Sequence, residues 1–542
     1  MIRRAIPVAT ALALALTACG QQAASPQQQQ QQGAGGAPKL ELRTVTAPAT
    51  GELDKVTWNL PYEPQTVDPI RSFNYAENTV LANMCESLLR LTPEFGIEPG
   101  LAEKADNPSP TTWVYTIRDG VKFWDGTPLT AEDVAASLNR HLDPALGTWW
   151  GDYFHTVESI KATGPMQVTV TLKQPDVLFN QAMASAAGAI VSAEYAKKKD
   201  LGSPTGGVMC TGPYKYESWK SGDSLTIKRN DAYWDTALRP KTKELVFRFI
   251  ADETTAVNAL RSGEVDGQYF YLPPAGLGQL QQSTTGSVTL GKSLTFWTLL
   301  GAAKTGPYAD PKVRQALSLA LDRAAISKVV FQGTAVPQRT LAGAEYWGYQ
   351  RDAFQKAYDA LPPETPDLAK AKQLLTEAGS PTQTITIGIQ GSSAVHEQTA
   401  NLIKATGEAL GLKIEIKVIP VEQYGNLYSD PKAREGIDAF FSTWYGNVPD
   451  PLDIYTVFLA GSRTNFNDYA AVDADIKKAR AAYDETERAA LVTTIQQKVT
   501  ADVPWMPLNN LPVILYMNKR VTGAVASFPY LYYPWAAGLG AA

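Results

Sequence analysis

The chain has 542 residues, of which 44% are hydrophobic and 19% are charged. At ~100–200 residues per domain, this length allows two to four globular domains, each able to bury its own core. The formal net charge is −5, so the chain has no excess of basic residues to offset the phosphates of a nucleic acid. Composition and charge therefore argue against a nucleic acid as a partner.

The first 18 residues have the pattern of an export signal. A basic start, Arg3 and Arg4, is followed by an apolar stretch from Ala5 to Leu16. A membrane span needs ~20 apolar residues, so this stretch is too short to cross a bilayer and is typical of a cleaved signal. We predict a signal peptide over residues 1–18, whose removal takes away two positive charges and leaves a net charge of −7.

Residues 16–19, Leu-Thr-Ala-Cys, resemble the bacterial lipobox, in which the cysteine thiol receives a diacylglycerol group. The resemblance implies that Cys19 is lipidated and is the only membrane anchor. The alternative is an ordinary secretory signal with an unrelated cysteine. Residues 19–50 are rich in Gln, Gly, Ala and Pro, a composition that buries too little apolar area to fold. We predict a disordered tether that holds the folded part at the outer side of the cell membrane.

From residue 56 to residue 295 the sequence is rich in strand patterns. Apolar and polar residues alternate there, as they do in half-buried strands. Helix signals lie between the strands, and one of them is closed by Gly263. The predicted strands include 56–60, 113–117, 168–172 and 225–227, and the predicted helices include 130–141 and 252–261.

A long helix is predicted to begin after Asp310. This residue suits the N-cap, Pro311 suits the first helical position, and Gly333 suits the C-terminal stop. Apolar residues recur at helical spacing between these signals, so one helix is predicted over the whole stretch.

A βαβ unit is predicted farther along the chain. Alternating residues at 385–389 and at 412–418 indicate two strands, and a helical pattern at 395–410 lies between them. Such a unit predicts a parallel or mixed sheet. A helical block at 472–503 and a strand at 513–516 follow.

The sequence offers little for metal or acid–base chemistry. Its only histidines are His141, His155 and His396. The last of these begins a zinc-protease-like helix, but Ala400 stands where the second histidine is needed. The glycine spacing of 301–306 is that of a phosphate-binding loop, but the Lys and Ser/Thr that should follow are missing. We predict no metal, no cofactor and no enzymatic activity.

Six motifs occur in a fixed order along the chain. They are Tyr115–Val134, Thr211–Tyr214 with Asn230–Trp234, Ala259–Asp266, Asp310–Leu317 with Asp322-Arg323, Trp444–Pro451, and the late helices up to Pro504–Pro507. Together they resemble the signature of the peptide/nickel family of extracytoplasmic solute-binding proteins. Part of the first motif is structural, since Phe123–Gly126 reads as a turn and Thr130 with Asp133 reads as a capping box.

The resemblance implies an α/β fold of the two-lobed periplasmic-binding-protein type (type II, cluster C-like), with mixed sheets and a hinged cleft between the lobes. Crossing segments near 294–302 and 509–513 would join the lobes. A ligand enclosed between them would stabilise the closed state through contacts to both. The implied parts are lobe I at 51–295, with a strand-rich subdomain at about 75–205, lobe II at 296–510, and a return to lobe I at 511–542.

After Cys19, only Cys85 and Cys210 remain. In an oxidising, exported setting two such cysteines more often pair than not. We predict a disulfide between them, with two buried free thiols as the alternative.

One predicted ligand contact departs from the family pattern. In peptide-binding relatives, an acidic residue three places after a cleft tryptophan pairs with the ammonium group of the ligand. The resemblance places that tryptophan at Trp444, which could instead fill the core between the lobes, and the third place holds Asn447. A neutral acceptor loses the charge-assisted hydrogen bond, which is about twice as strong as a neutral one. Asp450 could bind the ammonium instead, or Asp450-Pro451 could be a turn that ends the strand. A blocked or cyclic ligand would have no ammonium to bind.

The other predicted contacts are mostly aromatic. Tyr445 could stack on the ligand, and Trp297, in a predicted crossing, could contact the ligand or brace the hinge. Phe73 and Tyr75 lie in the loop before the helix that carries Cys85 and are predicted at the cleft edge. The resemblance places Thr211 near the cleft, either in its floor or in the scaffold.

The predicted function is therefore that of a monomeric lipoprotein that binds an oligopeptide or dipeptide. It would deliver the peptide to the permease of an ABC importer, whose separate ATPase supplies the energy. Within the binding class the alternative ligands are a glycoside, an opine or a metal chelate. A secreted hydrolase and a signalling or adhesion lipoprotein are alternatives from other classes.

Overall fold

The computed structural model describes residues 40–542, so the predicted signal peptide and Cys19 lie outside the described residues. The predicted tether ends before residue 50, which corrects the sequence-based boundary. The main-chain N–H groups of Arg43 and Thr46 donate to the carbonyls of Leu290 and Ala524, both at 2.9 Å. Gly51 forms a β-bridge with Ala541. These main-chain bonds hold residues 43–51 against the folded body, a possibility that composition alone does not reveal.

Strands make up most of the framework. The described strands are β1 (Leu53–Leu60), β2 (Leu89–Leu91), β3 (Ile97–Pro99), β4 (Ala102–Ser109), β5 (Thr112–Ile117), β6 (Val157–Gly164), β7 (Gln167–Leu172), β8 (Tyr214–Lys220), β9 (Ser224–Arg229), β10 (Thr242–Phe249), β11 (Gly267–Phe270), β12 (Gly286–Gly301), β13 (Val336–Pro337), β14 (Thr384–Gln390), β15 (Lys413–Ile419), β16 (Ala439–Tyr445), β17 (Trp505–Asn518), β18 (Val521–Thr522) and β19 (Gly540–Ala541).

The largest sheet is mixed, and its strands come from both the N-terminal and the C-terminal parts of the described chain. Its order is β15-β14-β16-β12-β17-β11-β1-β10-β9-β8, and β13 also pairs with β17. Strands β1 and β10 are parallel, as are β14 and β15, whereas β12 pairs antiparallel with both β16 and β17. A separate antiparallel sheet has the order β4-β5-β7-β6. The prediction of an α/β fold with mixed sheets is confirmed.

Two unusually long strands tie the large sheet together. β12 and β17 pair antiparallel from Gly286 opposite Asn518 to Leu300 opposite Trp505, with two register shifts between these ends. The predicted crossing segments at 294–302 and 509–513 fall within or at the end of these strands. The predicted strand at 513–516 is therefore only a part of β17.

The helices flank the sheets. They are α1 (Tyr75–Leu81), α2 (Ala131–Asn139), α3 (Gly151–Phe154), α4 (Val177–Ala182), α5 (Glu253–Ser262), α6 (Leu277–Gln281), α7 (Pro311–Ala320), α8 (Arg323–Val329), α9 (Arg351–Asp359), α10 (Leu368–Glu377), α11 (Ala394–Ala409), α12 (Val421–Tyr424), α13 (Asn426–Ser429), α14 (Pro451–Tyr455), α15 (Asp473–Ala481) and α16 (Glu485–Asp502).

Local signals explain several helix ends. Thr130 and Asp133 form the predicted capping box, each side chain bonding the other residue's main-chain N–H. The single helix predicted from Asp310 to Gly333 is wrong. Leu321 is extended, with φ −80° and ψ 129°, so α7 ends before it. Asp322 then accepts a hydrogen bond from the N–H of Ala325 and starts α8.

The predicted βαβ unit is present. β14 and β15 pair in parallel from Thr384 opposite Lys413 to Gln390 opposite Ile419, and α11 connects them. The alternating isoleucines pack inward, and Ile385 and Ile387 are fully buried. They belong to a hydrophobic cluster that also contains Leu317 of α7.

A second and larger hydrophobic cluster does not follow the predicted lobe boundary. It joins Trp58 and Val170, from the predicted lobe I, to Phe440 and Val492, from the predicted lobe II. The division into lobes at residues 295 and 296 therefore stays a prediction.

Cys85 and Cys210 are joined by a disulfide, and their Cα atoms are 5.0 Å apart. The bond ties the turn after α1 to the segment before β8, across a sequence separation of 125 residues.

Candidate functional site

A cavity of about 670 Å³ lies between the α1–α3 region and the segments around β16, α13 and α14. This volume is within the usual range for small-ligand sites, ≈ 300–1,000 Å³. Its wall combines aromatic rings with a few charged and polar groups. The lining includes Gln65, Thr66, Arg71, Phe73, Asn74, Tyr75, Trp149, Trp150, Asp152, Tyr153, Asn426, Tyr428, Ser429, Ser442, Thr443, Trp444, Tyr445, Asn447, Asp453, Thr456, Arg463, Thr464 and Arg480.

One part of the wall is a stack of aromatic rings. Phe73, in the loop before α1, stacks on Trp149 with ring centroids 4.1 Å apart and planes inclined by 18°. The guanidinium of Arg463 lies over the other ring of this pair, 5.4 Å from the Trp149 centroid. The stack provides a flat apolar surface with a cation beside it.

Strand β16 provides a second part of the wall, and one of its edges has unpaired main-chain groups. β12 covers one edge up to Tyr445, but β14 covers the other edge only at Ala439 and Phe440. The carbonyl of Phe441 accepts a hydrogen bond from Tyr424, on the side away from β12. Because main-chain groups alternate in direction along an antiparallel strand, those of Thr443 also point to this side. An extended chain lying along this edge could pair with them.

Both polar atoms of the Asn447 side chain have protein partners. Its Oδ1 accepts from the hydroxyl of Tyr532 at 2.6 Å, and its Nδ2 donates to the hydroxyl of Tyr153 at 2.9 Å. The Tyr153 hydroxyl in turn donates to Oδ1 of Asp453 at 2.5 Å. The amide therefore serves to hold the wall of the cavity together.

Asp453 is the carboxylate of this network. Its Oδ2 accepts the main-chain N–H of Asn447 at 2.7 Å, and the residue is only 4% exposed. Burial raises the pKa of Asp453 to about 6, although the bonds from Tyr153 and Asn447 work in the opposite direction. A cation arriving at this point would favour the charged carboxylate and lower that pKa again.

A buried ion pair fixes the base of the cavity. Arg480 of α15 donates through Nε to Oδ1 of Asp176 at 3.1 Å, and its Nη2 also bonds that carboxylate. The side chains are 3% and 0% exposed. The positive charge of Arg480 is therefore neutralised by the protein itself, although the residue lines the cavity.

Five of the predicted contact residues line this cavity: Phe73, Tyr75, Trp444, Tyr445 and Asn447. The hydroxyl of Tyr445 donates to the carbonyl of Phe73, which joins two stretches of the wall that are far apart in the sequence. The ring of Tyr75 packs edge-on against Tyr445, 5.3 Å away. Whether each of them touches ligand stays a prediction.

The structure places the other three predicted contacts outside the cavity lining. Trp297 is fully buried, stacks on Phe441 at 5.1 Å and so packs in the core. Thr211 is also fully buried, and its hydroxyl donates to Glu86 at 2.7 Å. Asp450 is fully buried, is the N-cap of α14 and bonds protein partners such as Gln181.

The sequence reasoning missed Asp453, Arg71, Arg463, Trp149 and Tyr153. Asp453 lies three residues after the candidate that was chosen, in a short helix whose inward face no pattern specifies. Arg71 ends a three-residue 3-10 helix and Arg463 lies in a loop, and neither segment is long enough for periodicity to predict a side-chain direction. Trp149 was detectable only as a member of a Trp-Trp pair.

The described residues show neither a metal site nor a membrane span. Within 40–542, no group of three or more His, Cys, Asp or Glu side chains is arranged to hold a metal ion. Over the same range, no helix is both long and apolar enough to span a bilayer.

Comparisons with known proteins agree with this architecture. The chain is 26% identical over 473 residues to the glutathione-binding protein GsiB of Escherichia coli (strain K12), covering 84% of this chain and 89% of that protein. The structure of DppA from Helicobacter pylori in complex with the peptide STSA matches with a TM-score of 0.79 and 22% identity, over 91% of this chain and 98% of that one. AgaA of A. tumefaciens R10, in complex with agropinic acid, matches with a TM-score of 0.77 and 24% identity, over 90% of this chain and 98% of that one.

These structural likenesses show the fold, which is that of the two-lobed type II periplasmic binding proteins, as predicted. The model of the bacterial extracellular solute-binding proteins, family 5 (middle region), matches residues 96–466, well over half of the chain. The chain therefore belongs to the bacterial extracellular solute-binding proteins of family 5, whose members are the extracytoplasmic substrate-binding components of ABC importers and work with a separate permease and ATPase.

Proposed function

We propose that this protein is a lipid-anchored binding protein that captures a short peptide in its cavity and delivers it to the permease of an ABC importer. The observation that carries the proposal is the composition of the cavity wall. It combines the unpaired main-chain edge of β16, aromatic rings, and charged groups of both signs. A peptide has a main chain to pair, side chains to pack and two charged ends, so it can use all three.

The main chain of the peptide would pair with the edge of β16 at Thr443. Such pairing is independent of the peptide's sequence, and the aromatic rings of Trp444 and Phe73 can pack against many side chains. The ammonium group of the peptide would lie at Asp453, because Asp453 carries a carboxylate whereas the side chain of Asn447 is neutral.

We also propose the lobes and the hinge in this chain. The boundaries are those of the sequence analysis, with lobe II at 296–510 and the return to lobe I at 511–542. Closure would bend β12 and β17 where they pair, since these strands contain both predicted crossings. Contacts such as Tyr445 to Phe73 would then form only in the closed state.

A non-peptide solute with a carboxylate is the second candidate. AgaA, of similar fold, holds agropinic acid, and the neutral Asn447 removes the family's acidic group from its usual place. Such a ligand could use the arginines and the aromatic stack without pairing along β16.

Native mass spectrometry of the purified mature chain, followed by sequencing of the released ligand, tests the proposal. Peptides of mixed sequence and narrow length range would support it. An empty protein whose melting temperature does not shift with any member of a di- to pentapeptide panel would refute peptide binding and direct the search to other solutes.

The lipid anchor needs its own test. Replacing Cys19 by Ser should release the protein from the membrane fraction, because a single lipid-bearing residue is the proposed attachment. Peptide binding by the released protein should be unchanged. A Cys19→Ser protein that stays with the membrane would contradict the anchor and leave the binding proposal intact.

A further inference from the structure

We propose that the cavity binds a free carboxylate group of its ligand beside Arg71 and Arg463, so that it selects short peptides with an unblocked C-terminus. This inference rests on the proposed function, because it specifies which end of a peptide meets which part of the cavity wall.

Arg463 flanks the pair of stacked rings, and Arg71 follows a residue that is hydrogen-bonded to the main chain of one of these aromatic residues. Arg463 lies over the ring of Trp149, 5.4 Å from its centroid, and that ring stacks on Phe73. The main-chain N–H of Trp149 donates to the carbonyl of Ile70, the residue before Arg71, at 2.9 Å. Both arginines line the cavity. A ligand in this cavity therefore meets two guanidinium groups, one of which lies over the aromatic stack.

Neither guanidinium is neutralised by the protein. Among the described residues, no carboxylate lies within the 4.0 Å that defines an ion pair with Arg71 or Arg463. Arg71 uses its Nε to donate to the carbonyl of Leu146 at 3.2 Å, which fixes the side chain and leaves its terminal nitrogens available. Arg480, the third arginine of the wall, differs because Asp176 cancels its charge.

A carboxylate of the cavity wall, that of Asp152, offsets part of this positive charge. Asp152 lines the cavity, and its Oδ2 accepts from Ser462, the neighbour of Arg463, at 3.0 Å. Arg71, Arg463 and Asp152 together carry a single net positive charge. One ligand carboxylate would balance it, and the planar fork of a guanidinium matches the two oxygens of a carboxylate.

The aromatic stack makes the neighbouring arginines selective. A flat apolar surface beside the cations excludes water from one side of an ion pair, which strengthens charge-assisted hydrogen bonds. A C-terminal amide would lose the ion pair but keep the packing. Selection should therefore depend on the charge at the end of the ligand rather than on its size.

The test compares two tripeptide libraries of the same mixed sequences, one with free C-terminal carboxylates and one with C-terminal amides. Each is incubated with the full mature chain, and native mass spectrometry measures the amount retained. The wild-type protein should retain the acids about tenfold better than the amides, the ratio expected for loss of charged hydrogen bonds. The double variant Arg71→Gln, Arg463→Gln should retain both to a similar extent.

Arg239→Gln is the matched control, because Arg239 is exposed and lies outside the cavity lining; it should keep the wild-type ratio. Arg71 and Arg463 are also exposed, so their replacement should leave folding intact, and circular dichroism checks this. Equal retention of acids and amides by the wild-type protein, or an unchanged ratio in the double variant, would overturn the inference while peptide binding stands. Retention of neither library would overturn peptide binding and this inference with it.

Discussion

Peptide affinity should fall about tenfold when the pH is lowered from 7 to 5. The unliganded pKa of Asp453 is about 6, above its ordinary value of 3.8. The carboxylate is therefore about 90% charged at pH 7 and about 10% charged at pH 5. If the peptide ammonium binds only the charged form, the apparent dissociation constant scales inversely with that fraction. The peptide's own carboxyl group, with a pKa of about 3.5, stays charged over this range.

Isothermal titration calorimetry at pH 7, 6 and 5 measures this effect with any peptide that the protein retains. The Asp453→Asn variant should bind more weakly at pH 7 and lose most of the pH dependence. This variant is needed because Glu77, close to the cavity through its bond to the N–H of Gln65, has a pKa raised by burial to about 7. An N-acetylated peptide, which lacks the ammonium, should also show little pH dependence.

Two results would refute the reasoning. One is a wild-type affinity that stays constant or rises as the pH is lowered. The other is an Asp453→Asn protein with the same pH dependence as the wild type, which would assign the titration to another group such as Glu77. In either case Asp453 would be a structural carboxyl group of the Asn447–Tyr153 network only.

Three further predictions concern stability. Replacing both Cys85 and Cys210 by Ala should lower the free energy of unfolding by about 5 kcal/mol on the loop-entropy model for a separation of 125 residues; a change below about 1 kcal/mol in urea unfolding would contradict it. Asp176→Asn should cost about 3–5 kcal/mol, because it leaves Arg480 charged and buried without its counter-ion; a loss typical of an exposed pair, about 0–1 kcal/mol, would argue against this. Glu77→Gln should raise the melting temperature at pH 8 but hardly at pH 5. Burial raises the pKa of Glu77 in the folded protein to about 7, above its usual 4.5. The folded protein is therefore destabilised as the pH rises through 7 and this carboxyl group becomes charged, and Gln avoids that loss. A larger rise in melting temperature at pH 5 than at pH 8 would contradict this prediction.

The parts of the fold that the sequence predicted are those with strong local signals. The βαβ unit at β14–α11–β15 follows from alternation and helical periodicity, and the capping box at Thr130 follows from two residues three apart. The helix predicted from Asp310 failed because Leu321 fits the apolar spacing yet adopts an extended conformation. Asp322 is a suitable N-cap for a second helix, but the helical spacing of apolar residues continues on both sides of it and so predicted one uninterrupted helix.

The candidate site was only partly predictable, for a different reason. Trp444, Tyr445 and Asn447 were chosen from one of the six motifs, and Phe73 and Tyr75 from the predicted loop before a helix. All five line the cavity. Charged contacts were not predictable, because their significance depends on partners that are distant in the sequence. Arg480 is neutralised by a residue 304 positions away, whereas Arg71 and Arg463 have no carboxylate within ion-pair distance among residues 40–542, and no local pattern separates these cases.

Residues 43–51 pair with residues 524–541, so the first described segment of the fold cannot be fixed in place until the last one has been synthesised. During synthesis, which starts at the N-terminus, residues 43–51 are exposed long before their partner residues are made. The wall of the cavity has the same dependence, since Tyr532 holds Asn447. A nascent chain interrupted before residue 524 would thus lack both the main-chain bonds to residues 43–51 and the hydrogen bond from Tyr532 to Asn447. We therefore expect ligand capture to require the chain up to Tyr532. A copy that stops short of this residue should not bind ligand and so should not engage a permease that accepts only loaded partners.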